Sequence, residues 1–175
     1  MTTALIVIDV QRGLFGERQP HRGEEVLARI AHLLASARAA KVPVIHIQHC
    51  APSGHPLEPG TAGWAHHPAV APIPGEAVVE KHTSSAFHRT DLHQRLQAIG
   101  ADRLVMAGMQ TEMCVESTCR AAVALDYRVV LADDAHTTYD TEVLPAAQIV
   151  AHHNRTWEWA FATLVHAADV DWAVR

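Results

Sequence analysis

The sequence predicts a three-layer α/β/α sandwich, a Rossmann-like, doubly wound sheet of about six parallel strands in the order 3-2-1-4-5-6. Three observations predict it. Short, β-branched apolar runs recur along the chain, stretches of helical periodicity separate them, and the runs are apolar throughout rather than alternating. Strands of that kind are buried on both faces, as in a parallel sheet with helices above and below. Right-handed crossovers then distribute the helices over two layers. The 175 residues fit a single domain spanning 1–175, with no internal repeat or linker to divide it.

Taken in order, Leu5–Ile8 forms the first strand and runs into Asp9. The first helix places Val26, Leu27, Ile30, Leu33, Leu34 and Ala37 on one face and stops before Pro43, which bars the helical conformation at Val42. Val44–Gln48 is the second strand. Residues Cys50–Gly75 carry six prolines together with Gly54, Gly60, Gly63 and Gly75, so they form a long loop, of the kind that is usually functional. Ala77–Glu80, followed by Lys81, is the third strand. A second helix holds Leu92, Leu96 and Ile99, with Thr90 or Asp91 as its cap and Gly100 at its end.

Leu104–Ala107 is the fourth strand, with Gly108 as a turn and Thr111 as the N-cap of a helix over about Glu112–Asp126. Val129–Ala132, a helix over about Glu142–His153, and Ala162–Val165 complete the pattern.

Composition excludes several function classes. A formal charge of −5 with scattered Lys and Arg gives no footprint for nucleic acid or an anionic membrane. No apolar run approaches the length of a membrane span, and no basic leader precedes the first strand. Three cysteines without a C-x-x-C pair predict free thiols in a reducing compartment, hence a cytoplasmic protein.

In a doubly wound sheet, ligands bind beyond the carboxyl ends of the strands. Three chemically capable residues fall there: Asp9, Lys81 and Cys114. Cys114 lies in the first turn of its helix, where unpaired N–H groups and the helix dipole favour a thiolate. Cys119, five residues on and about 140° around the helix, should face the core or a neighbouring helix. Cys50 receives no role.

Ile6-Val-Ile-Asp9-Val-Gln11 with Phe15, Glu80-Lys81 with Ser85-Ala-Phe87, and Gly108-Met-Gln-Thr-Glu-Met-Cys114-Val together resemble the isochorismatase-like family of cysteine hydrolases. Ala132-Asp-Asp-Ala135 and the tail from His153 extend the resemblance over nearly the whole chain. The resemblance implies a catalytic triad of Asp9, Lys81 and Cys114 acting on a small amide, ureido or related C–N substrate through a thioester. It also implies a non-proline cis peptide at Met109–Gln110 and an oxyanion hole made by the backbone N–H groups of Gln110 and Cys114. Gln11, Phe15, Trp64 and Phe87 fall where the family's pocket walls would be.

No cofactor is expected, and assembly as a homodimer or homotetramer is; Trp157 and Trp159 fit either interface or core. Nicotinamidases in this family bind a metal through an Asp-x-His pair. Gln48-His-Cys-Ala stands in that region here, so no metal is expected; zinc held by His49, His55 and His66 or His67 is the alternative, though these histidines lack ligand spacing. An isochorismatase-type vinyl-ether hydrolase is the enzymatic alternative; it would want cations for the substrate carboxylates, for which Arg89 and His88 are available. A non-enzymatic small-molecule-binding member is the other alternative. No G-x-G-x-x-G or P-loop follows a strand to favour nucleotide binding.

Overall fold

The computed structural model describes residues 2–173. Its strands are β1 (Thr2–Ile8), β2 (Val44–His49), β3 (Ala77–Lys81), β4 (Ala101–Met109), β5 (Arg128–Thr137) and β6 (Thr163–Val165). They form one six-stranded sheet in the order β3-β2-β1-β4-β5-β6, and all neighbours pair in parallel. The order reverses between β1 and β4, which opens a crevice at their carboxyl ends.

Helices α1 (Gly23–Ala39), α2 (Leu92–Ala98), α3 (Glu116–Ala124) and α4 (Ala146–Ala160) cover the sheet. β1 explains why its sequence is apolar without alternation. Leu5 and Val7 point into one core with Leu27, Ile30, Leu33 and Leu34 of α1. Ala4, Ile6 and Ile8 point into the other with Leu92 and Leu96 of α2, Cys119 of α3 and Trp157 of α4. Cys119 is fully buried, as its position on the helix predicts.

Several boundaries differ from the sequence expectation. Gly108 is not a turn; β4 continues through it to Met109. Its φ is +130°, and a Cβ there would lie 2.1 Å from the Ile8 carbonyl oxygen, so only glycine lets β1 and β4 approach this closely. Thr111 is not a cap either. Gln110 occupies that position, a π-helical turn covers Thr111–Val115, and α3 proper begins at Glu116.

α4 starts at Ala146 and runs to Ala160, later at both ends than expected. The Thr141 hydroxyl accepts from the N–H groups of Val143 and Leu144 and holds that stretch as a turn. Pro145 then supplies the cap position, and the Asp140 carboxylate accepts the Ala146 N–H at 2.8 Å. Ile99 lies past the end of α2 and is 40% exposed. Trp157 belongs to the core, whereas Trp159 is 84% exposed.

The long loop is stitched down by backbone contacts. The Gly13 N–H donates to the Gly63 carbonyl at 2.8 Å, and a Cβ on Gly63 would meet the Pro56 carbonyl oxygen at 2.2 Å. Among the described residues, no helix is long and apolar enough to cross a membrane.

Candidate active site

Strand register builds the site. Ile8, the last residue of β1, pairs with Ile47 on one side and Gly108 on the other. His49 and Lys81 are register partners at the ends of β2 and β3. Asp9 follows β1 in the left-handed region at φ 52°, a conformation aspartate tolerates, and its N–H bonds the Ile47 carbonyl at 3.1 Å. The Met109–Gln110 peptide is cis, as the resemblance implies, and leads into the π turn that carries Cys114.

These elements bring Asp9, Lys81 and Cys114 together. Lys81 is fully buried and Asp9 is 2% exposed. Lys81 Nζ lies 2.6 Å from Asp9 Oδ2 and donates toward Cys114 Sγ at 3.2 Å, the Thr83 carbonyl at 3.0 Å and His49 Nδ1 at 3.1 Å. A buried ammonium is tolerable only when ringed by acceptors in this way.

Burial raises the Asp9 carboxyl above its ordinary range, a push that the Lys81 charge opposes. Burial and the neighbouring Asp9 charge push the Cys114 thiol up to about 12, outweighing Lys81. This shift runs against the thiolate that a helix terminus favours. Both groups are thus disfavoured in their charged forms by burial, with Lys81 as the opposing charge.

Donor atoms of Asp9, His49 and Cys114 all lie within 4.8 Å of one another, a spacing that would suit a metal ion. The Lys81 ammonium stands among them, however, and fills the place a cation would need. The loop histidines His55, His66 and His67 have contacts of their own. His55 Nδ1 accepts the Leu57 N–H, His67 packs against Phe15, and His66 meets His46 edge-on.

A cavity of about 310 Å³ opens over Asp9, Gln110 and Cys114. Its walls come from Leu14, Leu57, Met109 and Met113 on the apolar side and from His49, His55, His82, Thr83 and Ser84 on the polar side. A larger cavity, about 570 Å³, lies at the opposite ends of β2 and β3, far from these groups.

The four residues expected at the pocket walls do not line this cavity. Gln11 is fully buried, and its amide is used internally. It donates to the carbonyls of His49 (3.0 Å) and Trp64 (2.8 Å) and accepts the His49 N–H at 2.8 Å. Phe15 joins the α1-side core against His67. Phe87 turns into the other core and stacks on Tyr127 at 5.9 Å. Trp64 contributes its carbonyl to both Gln11 and Gln48. Arg89 and His88 are exposed and outside the cavity.

Sequence reasoning missed His49, whose signal was available. The second strand ends one residue later than read, and His49 is then a strand-end residue like Lys81. It also missed a buried relay behind the π turn. Asn154 Nδ2 donates to the Asp133 carbonyl (3.1 Å), leaving Oδ1 to accept from His136 Nε2 (2.8 Å). His136 Nδ1 therefore accepts the Thr111 hydroxyl at 2.9 Å. Burial holds His136 down to about 4, so the ring is neutral and every group in the relay is paired.

The isochorismatase domain family model matches residues 3–169. A streptothricin hydrolase of Streptomyces noursei is 40% identical over 164 residues; the match takes in 90% of this chain but only 58% of the relative's length. A ureidoacrylate amidohydrolase of Methylobacterium radiotolerans is 33% identical over 173 residues, covering 77% of this chain and 67% of that protein. The crystal structure of an isochorismatase from Pseudomonas putida KT2440 superposes with a TM-score of 0.91 at 32% identity, covering 97% of this chain and 90% of that one. A fold and a sequence that agree in this way place the chain in the isochorismatase family.

Proposed function

We propose that this protein is a cysteine hydrolase of a small amide or ureido substrate, with Cys114 as nucleophile, Asp9 as general acid and base, and Lys81 as the cation that couples them. The observation that carries this reading is the buried Lys81 ammonium, 2.6 Å from the carboxylate of Asp9 and 3.2 Å from the sulfur of Cys114, the two residues that line the cavity beside it. Two relatives bearing hydrolase and amidohydrolase names support the same chemistry.

In the proposed cycle, Asp9 takes the Cys114 proton as sulfur attacks the carbonyl carbon. Proton transfer during attack fits a thiol that burial holds at about 12 better than a standing thiolate would. The backbone N–H groups of Gln110 and Cys114, both at the cavity, would receive the oxyanion. Asp9 returns its proton to the departing nitrogen, and ammonia or an amine leaves behind a thioester. Water, deprotonated by Asp9, attacks that thioester. The acid departs, and Asp9 hands the proton back to sulfur.

The cavity's polar wall is built from imidazoles and hydroxyls with no lysine or arginine among its lining residues, and Lys81 beside it is already engaged. That lining favours an uncharged polar substrate over a dicarboxylate, and so amide over isochorismatase-type vinyl-ether hydrolysis. The test is ammonia release from a panel of small primary amides and ureido compounds. Wild type is expected to release ammonia from at least one of them, and Cys114→Ala to lose that release by at least about a thousandfold. Turnover surviving in Cys114→Ala would overturn the assignment.

A further inference from the structure

Two imidazoles line the cavity with their tautomers already decided by their neighbours. Lys81 Nζ lies 3.1 Å from His49 Nδ1, and an ammonium has hydrogens to give but no lone pair to receive one. Nδ1 is therefore the bare nitrogen of His49. Burial, with the Lys81 charge next, holds that ring down to about 4, so it is neutral and its proton sits on Nε2. The backbone fixes His55 in the same way. Its Nδ1 accepts the Leu57 N–H at 3.0 Å, which leaves the proton on Nε2. Among the described residues, neither Nε2–H has a hydrogen-bond partner.

We propose that His49 and His55 are substrate-binding residues, each giving its Nε2–H to a carbonyl oxygen, and that the substrates are uncharged amides with a second carbonyl near the scissile one. The proposal rests on the reading of Cys114 as the nucleophile.

Position fits the two rings to that task. A ring nitrogen of His49 lies within 4.8 Å of the Cys114 sulfur, so its partner on the substrate must be close to the carbon under attack. His55 is exposed on the long loop and meets the solvent side of the same ligand. Both main chains are tied down. The Gln11 amide accepts the His49 N–H at 2.8 Å and donates to the His49 carbonyl at 3.0 Å. The His55 N–H bonds the Pro52 carbonyl at 3.2 Å, and its own carbonyl accepts the Glu58 N–H at 2.9 Å.

The rest of the lining adds little that would receive a hydrogen. The Thr83 carbonyl, an acceptor in the same wall, is already spent on Lys81 Nζ at 3.0 Å. Leu14, Leu57, Met109 and Met113 opposite are apolar. A carbonyl oxygen has two lone pairs and can take both imidazole donors at once, whereas an ammonium on the substrate would meet two N–H groups with no lone pair to offer it.

Two pairs of primary amides test this by ammonia release. Acetoacetamide is set against 3-methylbutanamide, which carries a methyl group where the second carbonyl oxygen stood. N-acetylglycinamide against 4-methylpentanamide sets that oxygen one atom farther out. The wild type is expected to favour the dicarbonyl member of at least one pair by about tenfold or more in kcat/KM. His49→Leu also takes an acceptor from Lys81 and should slow both members, so the reading is the ratio within a pair. That ratio is expected to fall to about twofold or less in His49→Leu and to recover in part in His49→Gln, whose amide restores an N–H. His55→Leu, on an exposed loop, should lower the ratio by about threefold and serves if the His49 variants do not fold.

The tautomers are read without substrate, from proton–nitrogen correlation spectra of protein labelled at its histidine rings. Both rings, assigned through their substitutions, should appear neutral and protonated on Nε2. A proton on Nδ1 of either ring would overturn the proposal. So would equal use of the members of both pairs, a preference for the methyl compounds, or a ratio that His49→Leu and His55→Leu leave unmoved. Failure of the nucleophile assignment is seen separately, as turnover persisting in Cys114→Ala.

Discussion

Burial works against ionisation at Cys114, and that fact shapes the chemistry at the scale of single residues. In the proposed cycle a sulfur held as a thiol is protected until substrate arrives, and the buried Asp9–Lys81 pair would accept its proton without importing charge. Gly108 sets the spacing on which this depends. Any side chain there would press into the Ile8 backbone, one residue before Asp9, from a φ that disfavours L residues. Gly108→Ala is expected to cost roughly 3 kcal/mol or more, lowering the melting temperature by about 6–12 °C, and calorimetry reads this directly. Asp9, Lys81 and Cys114 were legible in the sequence because each lies at or just beyond a strand's carboxyl end, where topology alone decides position. Gln11, Phe15, Trp64 and Phe87 were not, because their side-chain directions depend on loop paths that no periodicity encodes.

At the scale of elements, charged ties hold layers in place. Glu76, just before β3, accepts from Arg38 of α1 at 2.7 and 3.0 Å, from the Ile73 N–H at 3.0 Å and from His46 of β2 at 2.9 Å. Burial alone would raise this carboxyl, but those four bonds hold it down to about 2. A depressed carboxyl stabilises the fold fully above its ordinary value near 4.5, and the contribution fades as pH falls toward 2. Its upper size is about 3 kcal/mol. Urea unfolding should therefore find Glu76→Gln less stable than wild type at pH 6, with the gap closing near pH 2. An equal gap at both values would show that the carboxylate's charge is not what matters. The helices illustrate what patterning does and does not reveal. The α1 face was legible from its apolar spacing, and all six residues of the stripe are buried. The start of α4 was not, since it is decided by local bonds from Thr141 and Asp140 that compete with helix formation.

For the whole molecule, the strand order follows from short apolar runs joined by helical crossovers, a pattern with few topological solutions. The site inherits an uneven footing from that order. Asp9 and the cysteine turn hang from β1 and β4, each paired on both sides, whereas Lys81 ends β3, an edge strand paired with β2 alone. Edges of sheets open before centres do. The cation of the proposed triad is thus mounted on an edge strand, and catalysis would act as a fuse for the fold. In a urea series, turnover should fail at a lower concentration than the far-ultraviolet ellipticity, and amides of residues 77–81 should exchange with deuterium sooner than those of residues 4–8. Coincident loss of activity and structure would mean that β3 stays docked until the entire sheet gives way. With such a fuse, mild stress would silence this enzyme reversibly while its core still stands, and relief of that stress would restore it without refolding.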